Sequence, residues 1–190
     1  MKKVLYILTS IVLLSCSTSK IVSNEKHDNI VPFHYKKLDG IVLTKDYEIF
    51  FPGEYKGNRF TPTYDEIVKS ETLLKTKIKD INTPEMINQG GNCPIIHKNL
   101  KNYFRQYSGN YNDKGEKIVN INFIWDKYTI WDKIKGYSDD RAKYREGYYF
   151  VLDGCSYYWQ VSINMTTMKI EMFSVNGIAL IKKKINKNWA

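Results

Sequence analysis

Apolar and polar positions divide the chain into regions of different period. Val4 to Leu14 is an almost unbroken apolar run, shorter than the roughly 20 residues that a membrane-spanning helix needs. Residues 17–29 are polar and carry no period, the pattern of a tether. Between Ile30 and Phe60, the short runs Ile41-Val42-Leu43 and Tyr47 to Phe51 alternate with Gly and Pro and predict one or two short strands at most. A helical period follows. Thr63 and Glu66 stand at capping-box spacing behind Pro62, and Ile67, Leu74, Ile78 and Ile81 fall on one face, widened by Val68 and Leu73. Beyond a loop with Pro84 and Gly90-Gly91, a second helix is predicted to start near Asn92-Cys93-Pro94, with Ile96, Leu100, Tyr103 and Tyr107 on its buried side.

From Gln106 onward the period is two. Asn112-Asp113-Lys114-Gly115 reads as a hairpin turn, after which Val119, Ile121, Phe123 and Trp125 alternate with Asn120 and Asn122. Asp126 to Glu146 is charged and irregular, a long connection or a short helix. A second hairpin is predicted from Tyr148 to Leu152 through Asp153-Gly154 into Tyr157, Trp159, Val161 and Ile163, and a further turn at Asn164 to Thr167 leads into Met168 to Val175. The fold class is α+β: two helices followed by a curved antiparallel meander of about five strands, one sheet face under helix and the other wetter. That order resembles the cystatin-like or NTF2-like architectures over roughly Thr61 to Gly177. The Gln-x-Val-x-Gly signature of cystatin protease inhibitors is not supplied by Gln160-Val161-Ser162, so inhibition of cysteine proteases gains no support.

The amino-terminal run takes on meaning with what surrounds it. Lys2 and Lys3 precede it, and Leu13-Leu14-Ser15-Cys16 closes it. This resembles the lipobox of bacterial lipoproteins, which implies removal of residues 1–15 as a signal peptide and attachment of diacylglycerol to the Cys16 thiol. Two or three acyl chains, at about 0.8 kcal/mol per buried CH₂, hold a protein firmly on a membrane. The expected layout is a signal peptide over residues 1–15, a lipidated tether over 16–29, one α+β domain over 30–180, and a basic tail over 181–190. Ser17, not Asp, follows the cysteine, and no acidic run follows it. In a Gram-negative cell the default sorting rule then implies the outer membrane, periplasmic face. The segments Phe60-Thr61-Pro62-Thr63, Lys98 to Tyr107 and Asp153 to Trp159 are similar to uncharacterised small lipoproteins of Bacteroidetes-type bacteria, and the Lys, Asn and Ile richness fits an AT-rich genome of that kind. No activity comes with that resemblance.

Composition narrows the function classes. A chain with 15 Tyr and 4 Trp is no disordered polymer and suits a β-rich fold. The formal charge of +9, two less once Lys2 and Lys3 are removed, gives a mild attraction to anionic surfaces. Nucleic acid is not an expected partner for an exported lipoprotein. With Cys16 committed to lipid, Cys93 and Cys155 remain as an even pair in an oxidising compartment, either joined in a disulfide or left as two separate thiols. The sharper alternative is a cysteine-dependent envelope hydrolase, with Cys93 as nucleophile at a helix start and His97 one turn on. Papain-like and NlpC/P60-type hydrolases also need a downstream histidine, and here the histidines are His27, His34 and His97. No catalytic residues are therefore assigned. Cys93-x-x-x-His97 is no recognised zinc pattern, and Asp139-Asp140-Arg141 reads as a solvated loop, so neither a metal nor a cofactor is expected. Tyr149 and Tyr158, set on the strand face away from Trp159, are candidates for stacking on a sugar or peptide. The expected role is a non-catalytic envelope module that binds a protein or glycan partner.

Overall fold

The computed structural model describes residues 28–49, 58–81, 93–136 and 140–176. The expected signal peptide over residues 1–15, the expected tether up to residue 27 and the basic stretch 181–190 lie outside the described residues. The architecture is α+β, with four helices and one mixed seven-stranded sheet among the described residues. Strands β1 (Ile30–Tyr35) and β2 (Leu38–Leu43) form an antiparallel hairpin, and β3 (Arg59–Phe60) is short. Helix α1 (Tyr64–Ile81) follows, then a single helical turn α2 (Ile96–Asn99) and a 3₁₀ turn over Leu100–Asn102. Strands β4 (Tyr103–Tyr111) and β5 (Lys117–Trp125), helices α3 (Ile130–Ile134) and α4 (Arg141–Glu146), and strands β6 (Tyr158–Asn164) and β7 (Lys169–Val175) complete the chain order. The spatial order is β1-β2-β4-β5-β6-β7, with β3 paired to the far end of β4.

Capping and amphipathic spacing account for α1. The Thr63 N–H donates to Glu66 Oε2 at 2.9 Å, and the Glu66 N–H donates back to Thr63 Oγ1 at 3.3 Å, which satisfies two of the amides that a helix start leaves without partners. Ile67, Leu74 and Ile78 are then buried against Tyr107, Val119, Ile121, Phe123, Trp159 and Val161 of the sheet. Each such aliphatic side chain contributes about 1.5–3 kcal/mol relative to exposure. Trp159 stacks on Phe123 with ring centroids 3.6 Å apart and planes 3° from parallel. Between the β4–β5 strands, Gly115 takes φ +76° in the turn that the Asn112 to Gly115 sequence predicts.

The structure departs from the two-helices-then-meander expectation at three places. A hairpin precedes α1 and enters the same sheet, with β2 parallel to β4 through Gly40↔Arg105 and Val42↔Tyr107. Gly40 permits this approach, since a Cβ there would lie 2.5 Å from the Arg105 carbonyl oxygen. The predicted second helix shrinks to α2, because Tyr103 and Tyr107 share a face at strand spacing as well as at helical spacing. Both faces of β4 are buried from Tyr103 to Asn110, so the alternation that marks a half-exposed strand is absent there. Tyr148 to Leu152 is no strand. β6 pairs with β5 and β7 instead, and the segment before it crosses the sheet face opposite α1.

That opposite face carries a second apolar cluster of Ile30, Ile41, Leu43, Phe104, Ile124 and Tyr144. Helix α4 lies over it, tied down by charge. Asp126 takes Arg141 Nε at 2.7 Å, Arg145 Nη2 at 2.7 Å and the Tyr144 hydroxyl at 2.6 Å, while Arg145 Nη1 reaches Asp39 at 2.9 Å. Among the described residues no helix is long and apolar enough to cross a membrane.

Candidate ligand-binding groove

In an antiparallel sheet, residues directly opposite each other share a face. On the face away from α1, the register therefore sets out polar rows across three or four strands. Gln106, Asn122, Gln160 and Ser174 make one row, and Ser108, Asn120, Ser162 and Met172 the next. Phe104, Ile124 and Tyr158 form the apolar row before them, the one that α4 and its tyrosines cover. Past that cover the polar rows floor a groove of about 90 Å³. Its walls come from Ile49, Arg59, Tyr148 and Met172.

The floor is ordered by its own hydrogen bonds. Ser162 Oγ donates to Asn120 Oδ1 at 2.7 Å, and Asn120 Nδ2 donates to Asn110 Oδ1 at 2.6 Å, a chain running across β6, β5 and β4. Gln106 fixes the wall beside it. Its Nε2 donates to the Tyr144 and Gly147 carbonyls, each at 2.7 Å, and its Oε1 accepts from Asn122 Nδ2 and the Tyr149 N–H, each at 3.0 Å. Asn122 Nδ2 also donates to the Tyr149 carbonyl at 2.8 Å. Gln106 thus uses its donors and acceptor to hold residues 144–149 against the sheet. By contrast, the side chains of Ser108 and Gln160 line the groove and make no hydrogen bond among the described residues.

Arg59 stands at the edge, placed by the β3–β4 pairing of Arg59 with Asn110. One guanidinium nitrogen donates to the Tyr47 carbonyl, and the buried Nη2 has no hydrogen-bond partner among the described residues. Burial lowers the Arg59 pKa from its usual value, partly offset by Asp46, and the group remains cationic. Burial pushes the Tyr148 hydroxyl above its ordinary range, so it stays protonated. Among the described residues the lining contains amides, hydroxyls, one guanidinium, one phenol, one thioether and aliphatic carbons, with no carboxylate, imidazole or thiol.

The residues singled out from sequence fall elsewhere. Cys93 and Cys155 are joined in a disulfide with Cα atoms 6.3 Å apart, closing 62 residues of chain. It fastens the turn before α2 to the loop before β6, beside the Tyr103 hydroxyl that donates to the Ser156 carbonyl at 2.7 Å. Cys93 then has no thiol to serve as a nucleophile. Tyr149 and Tyr158 do lie on the face away from Trp159, with ring centroids 6.3 Å apart. Both are half-buried in the second apolar cluster, and the Tyr149 hydroxyl donates to Asp140 at 2.8 Å. The tyrosine that lines the groove is Tyr148. Cys16 lies outside the described residues. Among the described residues no three His, Cys, Asp or Glu side chains gather as a metal-ligating cluster.

Sequence reasoning passed over the groove itself. Its signal was present as polar residues repeating every second position on β4, β5 and β6: Gln106, Ser108, Asn110; Asn120, Asn122; Gln160, Ser162. Such a pattern reads as an ordinary solvated face until register brings the rows together and a covering segment gives them walls. Compared with protein families, with curated proteins and with solved structures, the chain matches none.

Proposed function

We propose that this chain is a lipid-anchored lipoprotein of the bacterial envelope, of the small Bacteroidetes-type kind, and that its domain is a non-catalytic module that binds an envelope glycan in the groove. The lipobox-like Leu13-Leu14-Ser15-Cys16 supports the anchor, with the outer membrane and its periplasmic face as the location. The domain itself reads as a cystatin-like or NTF2-like sheet, helix-backed on one side, with an N-terminal hairpin added.

One observation carries the binding reading: the groove floor is a lattice of uncharged amides and hydroxyls held in place by one another. Sugars present hydroxyls that both donate and accept, and amides answer both roles without the desolvation cost of a charge. Tyr148 and Met172 offer apolar surface to a sugar ring's C–H face. Arg59, half-buried at the edge, would bring its positive charge towards an acidic substituent. Amides and hydroxyls, the polar groups that dominate the described lining, suit binding of a neutral polar ligand.

Calorimetric titration with soluble cell-wall and envelope oligosaccharides tests this. At least one glycan is expected to bind, and Gln160→Ala to weaken it about fivefold to tenfold, the worth of one or two net hydrogen bonds. No binding across the panel, or binding that Gln160→Ala and Arg59→Gln both leave unchanged, contradicts the proposal.

A further inference from the structure

Beyond the groove, the molecule carries an exposed apolar turn. Helix α3 spans Ile130–Ile134, and its side chains Ile130, Trp131 and Ile134 are 76%, 71% and 69% exposed. At about 100° per residue, these three fall within an arc of about 100°. Lys133 and Lys135 then flank that arc on its two sides, Asp132 points away from it, and Lys127 stands just before the helix. An apolar wedge containing tryptophan and bordered by lysines matches a membrane interface, where an indole sits at headgroup level and lysines reach anionic phosphates.

The turn holds its shape without burying those side chains. Thr129 Oγ1 accepts the Asp132 N–H at 3.1 Å, and the Thr129 N–H donates to Asp132 Oδ2 at 2.7 Å, a complete capping box. At the other end the Lys135 N–H donates to the Trp131 carbonyl at 3.0 Å, and Gly136 closes the turn with φ +76°. Its base is fixed too, by Trp125 Nε1 donating to the Lys127 carbonyl at 2.7 Å. A preorganised apolar turn loses little conformational freedom on insertion. Leu152, 81% exposed, belongs to a loop at the same end of the sheet, since β5 ends where β6 begins, with Ile124 opposite Tyr158.

We infer that the Ile130–Trp131–Ile134 turn is a second membrane contact, which seats the domain on the anionic lipid surface to which Cys16 ties it. The inference rests on the anchored reading given above. Ile30 stands fourteen positions after Cys16, and that stretch fully extended would span up to about 50 Å. A domain of this size is about 40 Å across, so the linkage leaves either end of the sheet free to meet the bilayer. The anchor alone does not choose which end does so, and the turn supplies that choice. The open groove on the sheet face is then held at a fixed height above the lipid.

The test uses the full chain purified from bacterial membranes and reconstituted into vesicles of phosphatidylethanolamine and phosphatidylglycerol whose acyl chains carry bromine, a contact quencher of tryptophan. The parent is expected to show quenching that Trp131→Phe removes and that Ile130→Glu with Ile134→Glu abolishes while Trp131 emission shifts to the red. Vesicle flotation, read on the same samples, keeps this inference apart from the anchor. A chain that floats with equal quenching in parent and Trp131→Phe retains the anchor and overturns the turn. Quenching through Trp131 in a chain that carries no fatty acid retains the turn and overturns the anchor. A chain that neither floats nor is quenched overturns both, and a Trp131 shielded from aqueous iodide only when an envelope protein is added overturns the turn alone.

Discussion

Inside the helix–sheet layer one carboxylate organises three elements. Glu71 Oε1 accepts from Arg105 Nε at 2.9 Å and from the Tyr107 hydroxyl at 2.8 Å, with the two charged side chains only 7% and 1% exposed. The other guanidinium nitrogens donate to the Tyr103 and Leu100 carbonyls, and the group lies 5.3 Å from the Phe123 ring centre. Burial, and then the Glu71 charge, push the Tyr107 hydroxyl well above its ordinary range, so it remains a donor throughout the working pH range. Removing one partner from such a pair leaves a buried charge uncompensated. Glu71→Ala is therefore expected to cost about 3–5 kcal/mol in urea denaturation, whereas Glu71→Leu with Arg105→Met is expected to cost far less. A second carboxylate behaves differently. Burial by itself raises the Glu66 pKa, but Lys117 Nζ at 2.7 Å and the Thr63 N–H and hydroxyl outweigh it and hold the group below the ordinary carboxylate value. A depressed folded pKa gives stability that is complete above the ordinary value of 4.5 and is lost as the pH falls through the folded value. Glu66→Gln is expected to cost about 0.5–1 kcal/mol near neutral pH, the part-exposed lysine being screened by solvent, and to flatten the acid side of the stability profile. Arg105 also explains what the sequence concealed. A charged residue at a core-facing position of β4, beside Phe104 on the other face, removes the alternation that announces a strand.

At the scale of elements, local signals were legible where one neighbour settles the structure. The Thr63–Glu66 cap and the apolar stripe of α1, the Asn112 to Gly115 turn, the alternation of β5 and β6, and the strand after the Asn164 to Thr167 turn all appear in the chain as read from sequence. The parallel placement of β2 beside β4 did not, because it depends on Gly40 meeting Arg105 across 65 residues of intervening chain. The irregular path of Tyr148 and Tyr149 was equally hidden, since Gln106 and Asn122, distant in sequence, supply its hydrogen-bond partners. The Cys93–Cys155 bond acts at this scale as well, stapling the turn before α2 to the start of β6. Closing 62 residues is worth up to about 4 kcal/mol in the chain-entropy description. Cys93→Ser with Cys155→Ser is expected to lower stability by no more than that. Its loss of amide-exchange protection should centre on Ile96–Asn102 and Cys155–Tyr157, and an even loss along the whole chain would contradict the stapling role.

For the whole molecule, the sheet has two unlike faces: one packed against α1, the other partly covered by α4 and bearing a groove over its amide rows. Under the proposed export and anchoring, the groove would face envelope polymers, the cysteine pair would sit in an oxidising space, and the turn at Ile130–Ile134 would meet the bilayer. Everything in that assignment depends on the modification of Cys16. Metabolic labelling of the producing cells with an alkyne fatty acid, followed by intact mass measurement of the membrane-extracted protein, tests it directly. The expected product begins at Cys16, carries two or three acyl chains, loses all label in Cys16→Ala, and has no free thiol because Cys93 and Cys155 are bonded. An unlabelled chain, or one that takes up label equally when Cys16 is replaced by alanine, would contradict the account.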